Sequence, residues 1–139
     1  MTSCIFRPGL ITLLAVLAVS GLGCAEQDYG DLGKVTGTVT FDGQPYPDAL
    51  ITFTPDEGRP SRAITDQSGN YELIYIRDTK GAEPGKHRVM ITTVPPEQPD
   101  DYTGPSFKEP IPAKYNVRSE LTETVELGPN TFNFDLTKK

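Results

Sequence analysis

The side chains that could carry catalysis are few in this 139-residue chain, which has one histidine, His87, and two cysteines, Cys4 and Cys24. A nucleophile–His–acid triad places its histidine beside both partners, and a zinc site usually takes more than one His or Cys ligand. His87 shares a strand face with Val89 and Ile91, so we expect it to pack in the core or at its boundary. The sequence therefore predicts no catalytic residue, no metal site and no cofactor, and a protein that is not an enzyme.

Acidic side chains offer two weaker possibilities. The segment Asp66–Asn70 has the alternating oxygen atoms of a calcium loop, but Arg77 stands at the twelfth position, where such a loop needs Glu. A turn in which Asp66 accepts hydrogen bonds from its own backbone is the expected structure. Two further acidic pairs lie in segments of loop composition, where we expect solvated side chains rather than a glycosidase cleft. These pairs are Asp56-Glu57 and Asp100-Asp101.

Residues 1–23 have the layout of a secretory signal peptide. Arg7 is the positive residue of a short first region, and Leu10–Val19 is an apolar run too short for an ordinary membrane span. The placement of Cys24 resembles a bacterial lipobox. Gly23 directly before the cysteine fits that motif, although Gly21 stands where the motif prefers Leu.

Lipid attachment would also explain the cysteine count. Cys4 falls in the segment to be removed, so the mature chain would keep Cys24 as its single thiol and could form no internal disulfide. We expect Cys24 to be lipidated, residues 24–33 to form a tether, and the protein to be exported and anchored to a bacterial membrane on its periplasmic or cell-surface side. The alternatives are a secreted protein cut nearby and a retained N-terminal anchor.

The charge of the chain limits its partners. It has 13 basic and 19 acidic residues, a formal net charge of −6 at pH 7. Residues 1–23 hold one arginine and no acid, so their removal leaves a net charge of −7. This acidity argues against nucleic acid as a partner and against electrostatic adhesion to anionic lipid, and it favours solubility.

The stretch Val35–Phe53 predicts two β-strands joined by a turn. Every second residue of each half faces one side and is mainly apolar, which is the pattern of strands with one buried face. Gly43 tolerates a positive φ and Pro45–Pro47 fix theirs, so we expect a hairpin. Near the C-terminus, Thr131–Leu136 predicts a strand, and Gly128–Asn130 before it predicts a turn.

Four further strands are predicted between these segments, the last of them on a sheet edge. They span residues 62–66, 71–76, 86–94 and 121–127. Within the second of them, Ile74 and Ile76 face away from Tyr71 and Leu73, which indicates cover on both sides or an interface. About seven short strands without an amphipathic helix predict an all-β fold, an antiparallel β-sandwich over residues 34–137.

The segment 95–112 contains six prolines and predicts a long loop. Tyr102, Phe107 and Tyr115 lie in it or beside it. Aromatic side chains of an exposed loop can form a partner patch or a platform for a sugar ring, and alternatively they can fold back and cap one end of the sandwich. Because long loops often carry function, we expect partner or glycan contact here.

Four motifs carry a family resemblance. They are G-x-V-x-x-x-G-x-P, A-x-V/I-x-F, T-D-x-x-G-x-Y/F-x-L and P-G-x-Y-x-V-x-V, at Gly37–Pro45, Ala49–Phe53, Thr65–Leu73 and Pro84–Ile91. Over residues 33–137 the chain resembles the carboxypeptidase regulatory-like domain. This resemblance implies a transthyretin-like, seven-stranded β-sandwich without an established catalytic role, usually regarded as a folding or interaction domain. His87 departs from the family, which usually has an aromatic residue there.

Two functions from different classes are consistent with these features. The leading hypothesis is a non-enzymatic, lipid-anchored extracytoplasmic β-sandwich that acts as a structural or protein-interaction module of the cell envelope. The alternative is a carbohydrate-binding module that uses Tyr102, Phe107 or Tyr115. The expected partners are the membrane, through the lipid anchor, and an envelope protein or polysaccharide.

Overall fold

The computed structural model describes residues 29–139, which contain eleven β-strands and one 3-10 helix, Ala113–Tyr115. The predicted signal peptide, Cys24 and the first part of the tether lie outside the described residues. The strands are β1 Gly33–Phe41, β2 Gln44–Pro45, β3 Ala49–Pro55, β4 Ser61–Ile64, β5 Asn70–Glu72, β6 Ile74–Ile76, β7 Thr79–Lys80, β8 Gly85–Thr93, β9 Thr122–Val125, β10 Gly128–Thr131 and β11 Phe134–Leu136. Between residues 29 and 139, no helix has the length and apolar character needed to cross a bilayer.

The strands form two sheets that enclose one core, so the predicted all-β sandwich is confirmed. Sheet one is organised around β1, which pairs in antiparallel fashion with β2 and β5 and in parallel with β10 and β11. Sheet two has the order β7-β6-β4-β3-β8-β9, and all its pairs are antiparallel. The predicted edge position of the 121–127 strand is confirmed, because β9 ends this sheet.

The core lies between the sheets and is centred on Phe53 of β3. Its side chain is fully buried, and its ring centroid lies 5.9 Å from those of His87 and Phe132 and 6.3 Å from that of Phe134. Val35 on β1 is fully buried as well. Because alternate side chains of a strand point to opposite faces, the apolar alternation in the sequence predicts this inner layer correctly.

The hairpin predicted within Val35–Phe53 is wrong, because β1 and β3 belong to different sheets. β1 pairs only briefly with β2, and the chain then crosses to sheet two. At the crossing, Asp48 has a φ of 56°; its backbone N–H bonds the Thr65 carbonyl, and its carbonyl accepts from the Val94 N–H. Pro47 has no N–H with which to continue the pairing to β1, which favours the crossing.

Two other predicted elements divide differently. The strand predicted over 71–76 breaks at Leu73, so that β5 joins sheet one and β6 joins sheet two. The turn predicted at Gly128–Asn130 is instead part of β10.

The strand predicted over 131–136 is interrupted between β10 and β11. Where β1 passes this interruption it has Gly37, and a Cβ atom there would collide with the Phe132 carbonyl oxygen. The close approach of the two backbones therefore requires glycine at position 37.

Candidate functional site

An open cleft of about 410 Å³ lies where sheet two meets the proline-rich loop, and we call it the loop-end cleft. Tyr46 forms one wall; its hydroxyl is 2.8 Å from the Thr93 hydroxyl, and its ring packs 5.4 Å from that of Phe41. The crossing between the sheets therefore brings this tyrosine to the end of β8. The cleft is lined by Tyr46, Pro47, Asp48, Thr93, Val94, Pro95, Pro96 and Phe107.

Glu109 fixes the proline-rich loop to the end of β8. One carboxylate oxygen accepts the Thr93 N–H at 2.9 Å, and the other accepts the Thr93 hydroxyl at 2.8 Å and the Ile111 N–H at 2.9 Å. Residues 95–108, between this clamp and β8, are all exposed. The loop is thus held at its ends and presents its middle part to solvent.

The three aromatic residues predicted to contact a partner have three different surroundings. Tyr102 is 46% exposed, and its hydroxyl donates to the Pro105 carbonyl at 3.4 Å. Phe107 is 37% exposed and lines the loop-end cleft. Tyr115 is half-buried on the 3-10 helix, packs against the core and contacts the Thr137 hydroxyl at 3.4 Å. The loop-end cleft is lined by Phe107 and not by the other two.

A second surface is a groove of about 700 Å³ on the outer face of sheet two, which we call the isoleucine–arginine groove. Its floor is apolar and unusually exposed: Ile64 is 56% and Ile74 is 43% accessible. Leu50 lies directly opposite Ile64 and Arg62 directly opposite Ile74, so strands β3, β4 and β6 build the groove together. The lining residues are Leu50, Arg59, Pro60, Arg62, Ala63, Ile64, Glu72, Ile74, Tyr75, Ile76 and Arg77.

The groove is cationic. Arg59, Arg62 and Arg77 are exposed, and within residues 29–139 neither salt bridge involves an arginine. The single acid of the lining, Glu72, lies 2.6 Å from the Lys80 ammonium and 3.3 Å from that of Lys34. The hydrogen bond from Lys80 lowers the pKa of Glu72, so this carboxylate is ionised. The two lysine ammonium groups compensate its negative charge.

The outer face of sheet one has the opposite character. Its threonine hydroxyls on β1 already have acceptors: Thr38 donates to the Asn133 side chain at 3.1 Å, and Thr40 donates to Asp135 at 2.6 Å. The threonine side of β1 is therefore polar and hydrogen-bonded, whereas Ile64 and Ile74 expose aliphatic surface on the outer face of sheet two.

His87 is fully buried, which confirms that it packs in the core. Its Nε2 lies 2.7 Å from the Glu83 carbonyl oxygen and donates to it, while Nδ1 has no hydrogen-bond partner in the part of the chain that the structure describes. A histidine sealed in this way cannot exchange protons with a substrate in solvent. Within residues 29–139, no three His, Cys, Asp or Glu side chains come together as a metal-binding group.

The segment Asp66–Asn70 is a turn, as predicted. Asp66 Oδ1 accepts the backbone N–H groups of Ser68 and Asn70 at 2.8 and 2.9 Å, and Gly69 has a φ of 75°. This carboxylate is therefore engaged with its own backbone. The acidic pairs at positions 56–57 and 100–101 are exposed.

Two inward-facing groups have shifted pKa values. Burial raises the pKa of the Tyr71 phenol, and the nearby charge of Glu123 raises it further. The Tyr71 hydroxyl donates to the Phe132 carbonyl at 2.8 Å. Burial also raises the pKa of Glu123, which points inward from the edge strand β9. Both side chains point into the sandwich, and neither lines the loop-end cleft or the groove.

Comparisons with known proteins identify no family. No protein-family model matches the sequence, and no curated protein matches it. Among solved structures, a DUF3823 family protein from Parabacteroides merdae is similar at 19% identity and a TM-score of 0.45. The match covers 78% of this chain and 47% of that chain, so this chain spans about half the length of that protein. The β-sandwich assignment rests on the sheets described above.

Several residues of these surfaces have no local pattern in the sequence that indicates their role. Tyr46 lies between two prolines, and Glu109 lies within the proline-rich loop. Arg59 and Arg62 are close in sequence, whereas Arg77 joins them only through the pairing of β4 with β6. A usable signal existed for the groove floor, because Ile64 and Ile74 both alternate out of phase with buried neighbours.

Proposed function

We propose that this protein is a non-enzymatic β-sandwich, held by lipid at Cys24 on the periplasmic or cell-surface side of a bacterial membrane, where it is a structural or protein-interaction module of the cell envelope. The observation that carries the proposal is the position of the loop-end cleft. β1 begins at Gly33 beside the tether and ends at Phe41 beside Tyr46, a span of about 27 Å. A partner can reach Phe107 while the other end of the sandwich stays at the membrane.

We also propose that the sandwich is of the carboxypeptidase regulatory-like type. Two of the four motifs coincide with turns that need their glycine: Gly43 has a φ of 82° in the turn after β1, and Gly69 has a φ of 75° in the turn before β5. The resemblance brings no established catalytic role, which is consistent with a non-enzymatic module.

The lipid anchor is tested by fractionating cells that express the full chain. The wild-type protein is expected in the membrane fraction, with the mass of a lipidated chain that begins at Cys24. Cys24→Ala is expected to abolish that mass and to be insensitive to globomycin. Cys4→Ala is the matched control, because it removes the other cysteine and should change neither result. A Cys24→Ala protein that fractionates and migrates like the wild type would show that the anchor is wrong.

The interaction role is tested with a photo-crosslinking amino acid at Phe107 in intact cells. Adducts with an envelope protein are expected from this position. The control position is Glu57, which is exposed in the loop between β3 and β4, at the other end of β3 from the cleft. Equal adducts from both positions, or none from Phe107, would contradict a partner at the cleft.

Carbohydrate binding is the second candidate, and the exposure of Tyr102 and Phe107 favours it. Aromatic rings in an exposed loop can stack on sugar rings. A glycan array with wild-type protein and with Phe107→Ala and Tyr102→Ala tests this function. Binding that is unchanged in both variants, or no binding by the wild type, would exclude it.

A further inference from the structure

We propose that the outer face of sheet two lies against the anionic surface of the membrane that carries the anchor, with the isoleucine–arginine groove as the contact. This inference rests on the lipid anchor at Cys24 proposed above. It assigns an orientation to the sandwich: sheet two faces lipid, and sheet one faces solvent.

The described chain starts at the rim of the groove. The Tyr29 ring packs edge-on against Tyr75 with their centroids 5.8 Å apart, and Tyr75 lines the groove. The Tyr75 hydroxyl donates to Glu83 at 2.6 Å, which fixes the ring that Tyr29 rests on. Five residues of extended chain span at most about 18 Å, so a lipid on Cys24 keeps this rim close to the membrane surface.

The groove has the composition of an interfacial binding surface. Ile64 and Ile74 give it an exposed aliphatic centre, and arginines 59, 62 and 77 surround that centre. Aliphatic side chains enter the boundary between headgroups and acyl chains, while guanidinium groups bind lipid phosphates with paired hydrogen bonds. Anionic headgroups add attraction to each cationic side chain near the surface.

The acidic net charge of the chain does not prevent this contact. At physiological ionic strength, charges act over a screening length of about 8 Å, so the groups nearest the surface decide. Near the groove, Glu72 is held by Lys34 and Lys80, and Glu83 is bonded to Tyr75. Asp56 and Glu57, which precede Arg59, and Asp78, which follows Arg77, are exposed acids beside the groove, but unlike the three arginines they do not line it. The expectation that net charge excludes anionic lipid therefore does not apply to this face.

The short tether also favours lipid over a soluble partner. A surface attached through a few residues has an effective concentration near the millimolar range at the site it can reach. Even a weak affinity of the groove for headgroups then orients the sandwich. A diffusing protein must displace that contact.

The experiment uses the full, processed lipoprotein reconstituted into vesicles of phosphatidylethanolamine with or without phosphatidylglycerol. An environment-sensitive fluorophore is attached at Ile64→Cys in the groove. The matched control is Thr131→Cys, which is exposed on β10 and pairs with Thr36 in sheet one. Spin-labelled lipids are expected to quench the Ile64 probe at least about twofold more than the Thr131 probe in anionic vesicles, since interfacial contact depends on anionic lipid.

Charge reversal gives a second readout that leaves the probe site unchanged. Arg62→Glu with Arg77→Glu is expected to remove the extra quenching at Ile64, as are high salt and vesicles without phosphatidylglycerol. Far-UV circular dichroism checks that the double variant keeps its β-structure. Equal quenching at Ile64 and Thr131 in protein that is anchored would overturn the inference while leaving the anchor intact.

Two further outcomes separate this inference from the proposed function. A protein that does not stay with the vesicles lacks the lipid anchor, and that result overturns both. An Ile64 probe that is shielded in native envelope membranes but not in protein-free vesicles identifies sheet two as a protein interface, which overturns the lipid contact alone.

Discussion

Replacing Ser61 by alanine is expected to leave the free energy of unfolding unchanged or to raise it by up to about 1 kcal/mol. Ser61 lies on β4 opposite Phe53 and is fully buried, and its Oγ has no hydrogen-bond partner among residues 29–139. Its hydroxyl therefore lost water on folding without a replacement. Alanine removes that unsatisfied group and opens only a very small cavity.

Ser119 is the matched comparison, because it is also buried but fully hydrogen-bonded. Its hydroxyl donates to the Val89 carbonyl at 2.5 Å and accepts the Leu121 N–H at 3.2 Å. Ser119→Ala leaves both backbone groups without this partner, which is expected to cost about 1–3 kcal/mol. The free energies of unfolding of the two serine variants should thus differ by about 1–4 kcal/mol, with Ser119→Ala the less stable.

Urea unfolding followed by far-UV circular dichroism measures both variants, in a Cys24→Ala background that keeps the protein free of lipid. Unchanged slopes with urea would show that only stability has changed. If Ser61→Ala destabilises the protein as much as Ser119→Ala, the Ser61 hydroxyl has a partner in the folded state. The reasoning from unsatisfied buried groups would then be refuted for this site.

Three further predictions concern the loop, the edge strand and the crossing of β1. Glu109→Ala removes three hydrogen bonds, so it is expected to lower the free energy of unfolding by about 1–3 kcal/mol and to increase proteolysis of the loop. Glu97 is exposed in the same loop, and Glu97→Ala should change neither property. Burial raises the pKa of Glu123, so the folded state binds the carboxyl proton of this residue more tightly than the unfolded chain does. The stability that this proton contributes is lost as the pH rises through the folded-state pKa. Glu123→Gln is therefore expected to stabilise the protein at pH 7 and to have no effect below about pH 4; an equal gain at both pH values in urea unfolding would contradict this. Gly37→Ala places a methyl group against the Phe132 carbonyl and should cost about 1–3 kcal/mol, measured as a lower urea midpoint; an unchanged or higher midpoint would show that the strands can separate there.

The sequence was informative about which side chains are buried and much less about which strands are neighbours. Alternation in Val35–Phe53 identified the inner face of both β1 and β3 correctly. It also suggested a hairpin, because two strands in facing sheets of a sandwich show the same alternation as two paired strands. Local residues such as Pro47 favour a crossing, yet they do not say which sheet the chain enters.

The candidate surfaces were predictable to different degrees. The outward direction of Ile74 and Ile76 indicated an interface, and the groove contains both residues. The sequence did not assign its arginines to one surface. Arg59 and Arg62 lie on one segment and Arg77 on another, and only the pairing of β4 with β6 brings the two segments together. For the proline-rich loop, composition predicted its extent, but Glu109 acts through the distant Thr93 and leaves no local pattern.

The position of β1 in sheet one has a consequence for how the chain reaches its folded state. β1 is among the first parts of the domain to be made, yet its parallel partners are among the last, as with Thr38 and Asn133, which are 95 residues apart. Pairings of such long sequence separation form slowly, because closing the loop costs entropy before any contact compensates. For a chain exported as proposed, sheet one cannot close until the C-terminal strands have crossed the membrane. Sheet one would therefore close only after export, in the compartment in which the chain would act.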